Sequence, residues 1–393
     1  MNVLLVHNFY QQAGGEDQVF ADETKLLRDR GHAVEQFTVH NDAVNSMGRI
    51  KLARKTIWNR ESYRALRDAV RRHRAEVVHF HNTFPLISPA GYKAARDEGA
   101  AVVQTLHNYR LMCPVATFYR DGHVCEECMG KFVPWPGVVH ACYRNSRPAS
   151  AAVATLLTVH RARRTWQHDV DVYIALTEFS RQKFVAGGIP PDKIVIKPNF
   201  VDPDPQIGAG DGGYALFVGR LTDEKGVRTL LTAWKSNAVN VGLKILGDGP
   251  LREEVVEAAS RTPHKIEYLG RRPLAEVYDV IGRARVLVFP SQWYEGLPRT
   301  IVESYAKGTP VIASRLGSMT ELIEPGRSGL LFEAGDADDL ARQVARVTGS
   351  PDELVQMRVG ARRLYEERYT AERNYPVLLG AYAQALNRRH AAR

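Results

Sequence analysis

Glu295 and Glu303 stand eight residues apart, after the apolar run 286–289 and along a helical pattern that ends at Gly308. This order puts the first carboxylate in a loop at the end of a strand and the second about two turns into the next helix, so both can face one ligand. Upstream, residues 217–226 repeat the layout: a strand, then a loop that offers Gly219, Arg220, Lys225 and Gly226. Arg forks onto two phosphate oxygens and Lys supplies a compact charge. A carboxylate accepts hydrogen bonds from a ribose diol or from sugar hydroxyls. Two cations and two carboxylates on neighbouring strand-end loops therefore suit a molecule with a diphosphate and several hydroxyls, and a sugar nucleotide is such a molecule.

Other residues extend the set. A helix N-terminus at Leu297, Pro298 and the residues to 300 offers backbone N–H groups to the same anion. The turns holding Gly249 and Arg271 read either as the lining of a base pocket or as plain turns; glycine allows close backbone approach. Gly14 and Gly15 open the first helix after the first strand, facing an acceptor or a phosphate. His107 ends the strand before it and can hydrogen-bond the donor sugar; a structural role is the alternative. Cys113, Cys125, Cys128 and Cys142 are the chain's four cysteines, all within thirty residues. They read as a tetrahedral structural zinc set, as free thiols, or as a redox pair with two spare.

The elements that must carry these residues alternate. Short apolar runs separated by helical patterns occupy both halves of the chain, which predicts an α/β protein with two doubly wound parallel sheets and ligands beyond the carboxyl ends of the strands. The expected division is 1–200, with an irregular insert at about 108–147, a linker at 201–213, a second domain over 214–365 and a helical strap over 366–393. At 393 residues, two domains are the prior.

Composition sets further bounds. With 44% hydrophobic and 25% charged residues, extensive disorder is excluded. The start of the chain lacks a signal-peptide pattern and the longest uncharged stretch is too short to span a bilayer, so the expected location is cytoplasmic. The net charge of +9 is concentrated in residues 49–74, where ten Lys or Arg face Glu61 and Asp68. Ile50, Ala53, Ile57, Tyr63, Leu66 and Val70 recur there at helical spacing. Such helices either dock on an anionic membrane surface or present a solvated basic face above a sheet. Without aromatic interleaving or a nucleic-acid motif, nucleic acid is not the expected partner.

The motifs at 217–226, 246–250, 268–270, 295–303 and 308–313, with Gly14-Gly15 and Thr105-Leu-His107, resemble those of the family 4 retaining glycosyltransferases. The resemblance implies the GT-B fold, two facing Rossmann-like domains that close on a nucleotide sugar. It implies that Arg220 and Lys225 bind the diphosphate, Glu303 the ribose, Glu295 the donor sugar and His107 the sugar from the other domain. It also implies transfer with retained configuration and no catalytic metal, to a glycan or lipid-linked acceptor in bacterial cell-surface polysaccharide synthesis, at the inner membrane face. A soluble small-molecule or sugar-phosphate acceptor, or a non-catalytic nucleotide-sugar sensor, is the alternative. Asn108 stands where many relatives have Asp, and the cysteine segment resembles an insert in a subset of bacterial members.

Overall fold

The computed structural model describes residues 1–12 and 14–391, so the last two positions of the expected strap lie outside the described residues. The chain forms two compact units: residues 1–118, 125–198 and 374–393 make one, residues 119–124 and 199–373 the other.

In chain order the strands are β1 (Asn2–Phe9), β2 (Ala33–His40), β3 (Val77–Phe80), β4 (Ala101–Leu106), the short hairpin β5 (Tyr119–Arg120) and β6 (His123–Val124), β7 (Val172–Ala175) and β8 (Ile194–Ile196). The first unit carries a parallel sheet in the order β2-β1-β3-β4-β7-β8. β3, β4 and β7 are buried along their whole length, the signature of strands covered on both faces. β2 is an edge strand and alternates instead. From β1 the chain adds β2 on one side and then β3 on the other. The order thus reverses between β1 and β3, which opens a crevice beyond their carboxyl ends.

The second unit adds β9 (Tyr214–Val218), β10 (Gly242–Leu246), β11 (Ile266–Gly270), β12 (Val286–Phe289), β13 (Val311–Ser314) and β14 (Gly329–Phe332), in the order β11-β10-β9-β12-β13-β14. Its switch point lies between β9 and β12. The sequence pattern had not singled out β14, a four-residue strand between loops. Its Gly329 is needed because a Cβ there would lie 1.8 Å from the Val311 carbonyl oxygen.

After the cysteine segment come two helices, Arg147–Ala162 and Thr165–His168, separated where Arg164 takes φ 54°. The basic segment is also two helices, Arg49–Ile57 and Arg60–His73. Leu66 and Val70 are buried as the spacing required, but Ile50 is 73% exposed and lies off the buried stripe. In the C-terminal helix Ala371–Ala391, Leu378, Ala381, Tyr382 and Ala385 share one face and join Val3, Leu5, Val77 and Val103 in the core of the first unit.

Candidate functional site

In the second unit the loops after four strands are stitched together by their backbones. Gly219 N–H donates to the Leu246 carbonyl, Leu221 N–H to Asp248 and Gly247 N–H to Gly270. Gly247 takes φ 141°, and any Cβ there would meet the Gly219 oxygen at 1.8 Å, so the position requires glycine. The loop after β9 is bound to the loop after β12 in the same way: Gln292 N–H donates to the Glu224 carbonyl over 2.8 Å, and Gln292 Nε2 reaches Thr229. Gly226, at φ 70°, lies so close to Pro290 O that only a bare α-carbon fits, and the next helix, Val227–Ala233, starts from it.

This stitching brings Lys225 and Glu295 together at the switch point, Nζ to Oε1 at 2.6 Å. Ser291 Oγ and Trp293 Nε1 donate to the same oxygen at 2.6 and 2.7 Å. Lys225 Nζ also sits 5.4 Å from the Phe289 ring centre and 5.3 Å from that of Trp293, within cation–π range of both. Glu303 lies in the helix Arg299–Ala306, buried, and receives Arg299 Nε at 2.7 Å. Pro298 caps that helix without a side-chain partner for its first N–H groups, while Leu297 is buried and gives its carbonyl to Asn199. Arg220 is exposed, 3.2 Å from Glu224, and Arg271 is exposed on the loop after β11. Gly249 sits in the turn after β10, its N–H bonded to its neighbour Asp248.

The first unit gathers polar groups that the sequence reading passed over. Glu23 and Lys197 are both fully buried and paired at 2.6 Å. His81 Nε2 lies 3.4 Å and His79 Nδ1 3.6 Å from the other Glu23 oxygen. His107, expected to be functional, stacks on His81, with Nε2 3.1 Å from His81 Nδ1. His7 Nε2 meets Asp17 Oδ1 at 2.7 Å, and the second Asp17 oxygen accepts the Gly14 N–H. Asn8 and Asn82 cross-link the ends of β1 and β3. The available signal was the polar residue inside or at the end of an apolar strand: His7 in β1, His79 in β3 and His81 just after it.

Glu23, His79 and His81 form the one group, among the described residues, whose potential ligand atoms converge within 4.8 Å. Lys197 already neutralises that carboxylate, so the cluster is an ion-pair network rather than a cation site. The cysteines all belong to the first unit, but among the described residues no three of their sulfurs converge within that distance. Burial, with the other three sulfurs, pushes the Cys128 thiol up to about 12.

Burial holds His7, His79 and His107 below the ordinary imidazole value, with the neighbouring His81 acting in the same direction. Burial would raise Glu23, but Lys197, His81 and His79 outweigh it and hold it well below the carboxylate range. Unfolded, the three histidines take up protons below about pH 6.5, whereas folded they resist. The unfolded state then binds more protons, so stability falls as the pH drops. Glu23 adds no loss until its unfolded value near 4.5 is reached. The buried Glu16 carboxyl, raised to about 8, opposes this across the same range, so urea melts of Glu16→Gln should show a lower midpoint at pH 5.5 than at pH 7.5. Equal midpoints would contradict the neutral buried histidines.

Residues 13–205 match the model of Glycosyltransferase Family 4 and residues 212–349 that of Glycosyl transferases group 1. The chain carries both glycosyltransferase domains and has the GT-B fold. The glycosyltransferase MJ1178 of Methanocaldococcus jannaschii is 33% identical over 144 residues, 36% of this chain and 40% of that one. The putative colanic acid biosynthesis glycosyltransferase WcaL of Salmonella typhimurium is 29% identical over 190 residues, 44% and 47% of the two chains. The chain thus spans about half the length of the curated relatives it matches. Among solved structures, Anabaena HepE in complex with UDP superposes with a TM-score of 0.69 at 16% identity, over 98% of this chain and 100% of its own.

Proposed function

We propose that this protein is a retaining, metal-independent glycosyltransferase. It moves a sugar from a nucleoside diphosphate donor to a glycan or lipid-linked acceptor in bacterial cell-surface polysaccharide synthesis. The observation that carries the reading is the Lys225–Glu295 contact at the switch point of the second sheet, a cation and a carboxylate held side by side where the diphosphate and the sugar of one donor adjoin. HepE was solved with UDP and WcaL is named for colanic acid synthesis, which agrees with the substrate class.

In this reading Arg220 and Lys225 take the diphosphate, Glu303 the ribose, Glu295 the sugar hydroxyls, and His107 the sugar from the first unit. The glycosidic C–O bond to phosphate breaks while the acceptor oxygen bonds the same face of the anomeric carbon, and the acceptor proton leaves on the departing phosphate. Stabilising that phosphate is electrostatic work for Arg220 and Lys225. The test is a panel of UDP-, GDP-, ADP- and dTDP-sugars: one should both stabilise the protein and be slowly cleaved. Lys225→Ala should lower that cleavage by about 100-fold or more, measured well below the variant's own melting temperature because the change strands the buried Glu295. Stabilisation by a donor that is never cleaved would favour a sensor instead.

The cytoplasmic, peripheral location rests on the basic helices. Among the described residues no helix is long and apolar enough to cross a membrane. A cleft of ≈ 1080 Å³ is lined by Lys51, Arg54, Lys55, Arg60, Arg163 and Trp58, with exposed Ile50 at its edge. The same unit exposes Phe132, Trp135 and Val139 beside the helix Arg147–Ala162, whose Arg161 donates to the Phe132 carbonyl. Cations together with exposed apolar side chains suit an anionic bilayer surface. The protein should float with phosphatidylglycerol vesicles at low salt and be released by high salt or by Lys51→Ala/Arg54→Ala/Arg60→Ala. Flotation unaffected by either would remove this location.

A structural zinc at Cys113, Cys125, Cys128 and Cys142 completes the proposal. Three sulfurs near enough to raise the cost of a Cys128 thiolate would have to draw in further to become fellow ligands of Zn²⁺, because among the described residues no three lie within 4.8 Å of one another, and the cation would reverse that cost. Elemental analysis of freshly reduced protein should find one zinc per chain. Four titratable thiols and no metal would end the assignment.

A further inference from the structure

The mouth of the first sheet holds a second set of polar groups that the donor site does not use. Tyr10 follows β1 and Asn108 follows β4, two residues beyond its end, and Glu16 sits in the first turn of the helix Gly15–Asp29. Tyr10 O–H donates to Glu16 Oε2 at 3.0 Å, and Asn108 Nδ2 approaches the Tyr10 oxygen at 3.5 Å. Glu16 Oε1 is buried and has no hydrogen-bond partner among the described residues. Next to this group lies a small cavity of ≈ 50 Å³ lined by Tyr10, His81, Thr83, Gln104, His107 and Asn108. It has room for about three waters or a single hydroxymethyl group.

A tyrosine that spends its proton on a carboxylate turns its lone pairs elsewhere. Here one faces the Asn108 amide at 3.5 Å and the other is left to serve the cavity, whose lining includes hydroxyl, imidazole and amide groups. Such groups offer hydrogen bonds to the hydroxyl of a sugar, beside the apolar Phe84, Leu106 and Leu111 that also line the cavity and can cover its carbon face. We propose that Tyr10, oriented by Glu16, joins Asn108 in a hydroxyl-binding subsite that holds the acceptor next to the donor-facing His107. This rests on the glycosyltransferase reading and adds the acceptor side to it. Tyr10 is the contact residue and Glu16 a positioning residue that acts through it.

The pair has a built-in pH sense. Burial pushes the Glu16 carboxyl up to about 8, with Asp17 adding to the shift and Tyr10, Arg110 and Asn108 opposing it. Burial and Glu16 keep Tyr10 protonated well above its ordinary range. An ionised Glu16 only accepts and locks the Tyr10 proton toward itself. A protonated Glu16 can also donate, which frees Tyr10 to turn. Acceptor capture should therefore strengthen as the pH rises through about 8.

Product partitioning tests this without knowledge of the natural acceptor. The full-length protein is given its cleavable nucleotide sugar in molar glycerol, and the ratio of glyceryl glycoside to free sugar is measured from pH 6.5 to 9. The wild type should form the glycoside, with a ratio that rises through about pH 8. Tyr10→Phe and Glu16→Gln should each lower the ratio about tenfold. Glu16→Gln should also flatten its pH dependence, and Glu16→Asp should restore part of both. A variant that merely folds poorly loses both products together and leaves the ratio unchanged. Only free sugar from the wild type, or wild-type ratios in both Tyr10→Phe and Glu16→Gln, would overturn the subsite while leaving the transferase reading intact. If no nucleotide sugar is cleaved at all, the transferase reading itself fails.

Discussion

The first unit depends on one buried ion pair. Glu23 and Lys197 are withdrawn from water completely, and removing either partner alone would strand a charge at a cost of about 3–5 kcal/mol. The pair fixes more than itself. Lys197 follows β8 and also holds Asn374 of the C-terminal helix, while Glu23 carries the histidine ladder whose outermost member is His107. A helix, the far edge of the sheet and the end of the chain therefore meet at one point. His107 reaches its position at the mouth of the sheet through His81 rather than by its own backbone alone.

The second unit reaches the same end with backbone and glycine. Its strand-end loops bond to one another, and Gly226 and Gly247 permit approaches that any side chain would block. Lys225 and Glu295 meet across this framework, and each holds the other in place. A diphosphate arriving at Lys225 would compete with Glu295 for the ammonium. The carboxylate's bonds from Ser291 and Trp293 compensate in part for that competition.

Much of this was legible in the residue order. The alternation of apolar runs and helical patterns revealed both sheets apart from β14, because a strand buried on two faces must be nearly all apolar. The spacing of Glu295 and Glu303, and of Arg220 and Lys225, located the strand-end loops because strand and helix periods fix where such residues fall. What the order withheld was pairing at long range. Lys197 meets Glu23 across 174 positions, and nothing in either local pattern announces the other. Arg299 beside Glu303 was within reach of an i, i+4 argument, yet the burial that makes it matter is a tertiary property. Ile50 shows the converse: helical spacing put it on the inner stripe, and packing left it in solvent.

The C-terminal helix also governs when the chain can close. Leu378, Ala381, Tyr382 and Ala385 complete a core whose other walls come from β1, β3 and β4, laid down near the opposite end of the sequence. During synthesis the first sheet emerges with one apolar wall bare and must wait until residues 378–385 have been made before it is covered. The unit made first is thus the unit finished last. Between those two moments its exposed strands, rather than any part of the second unit, are where a chaperone would be needed.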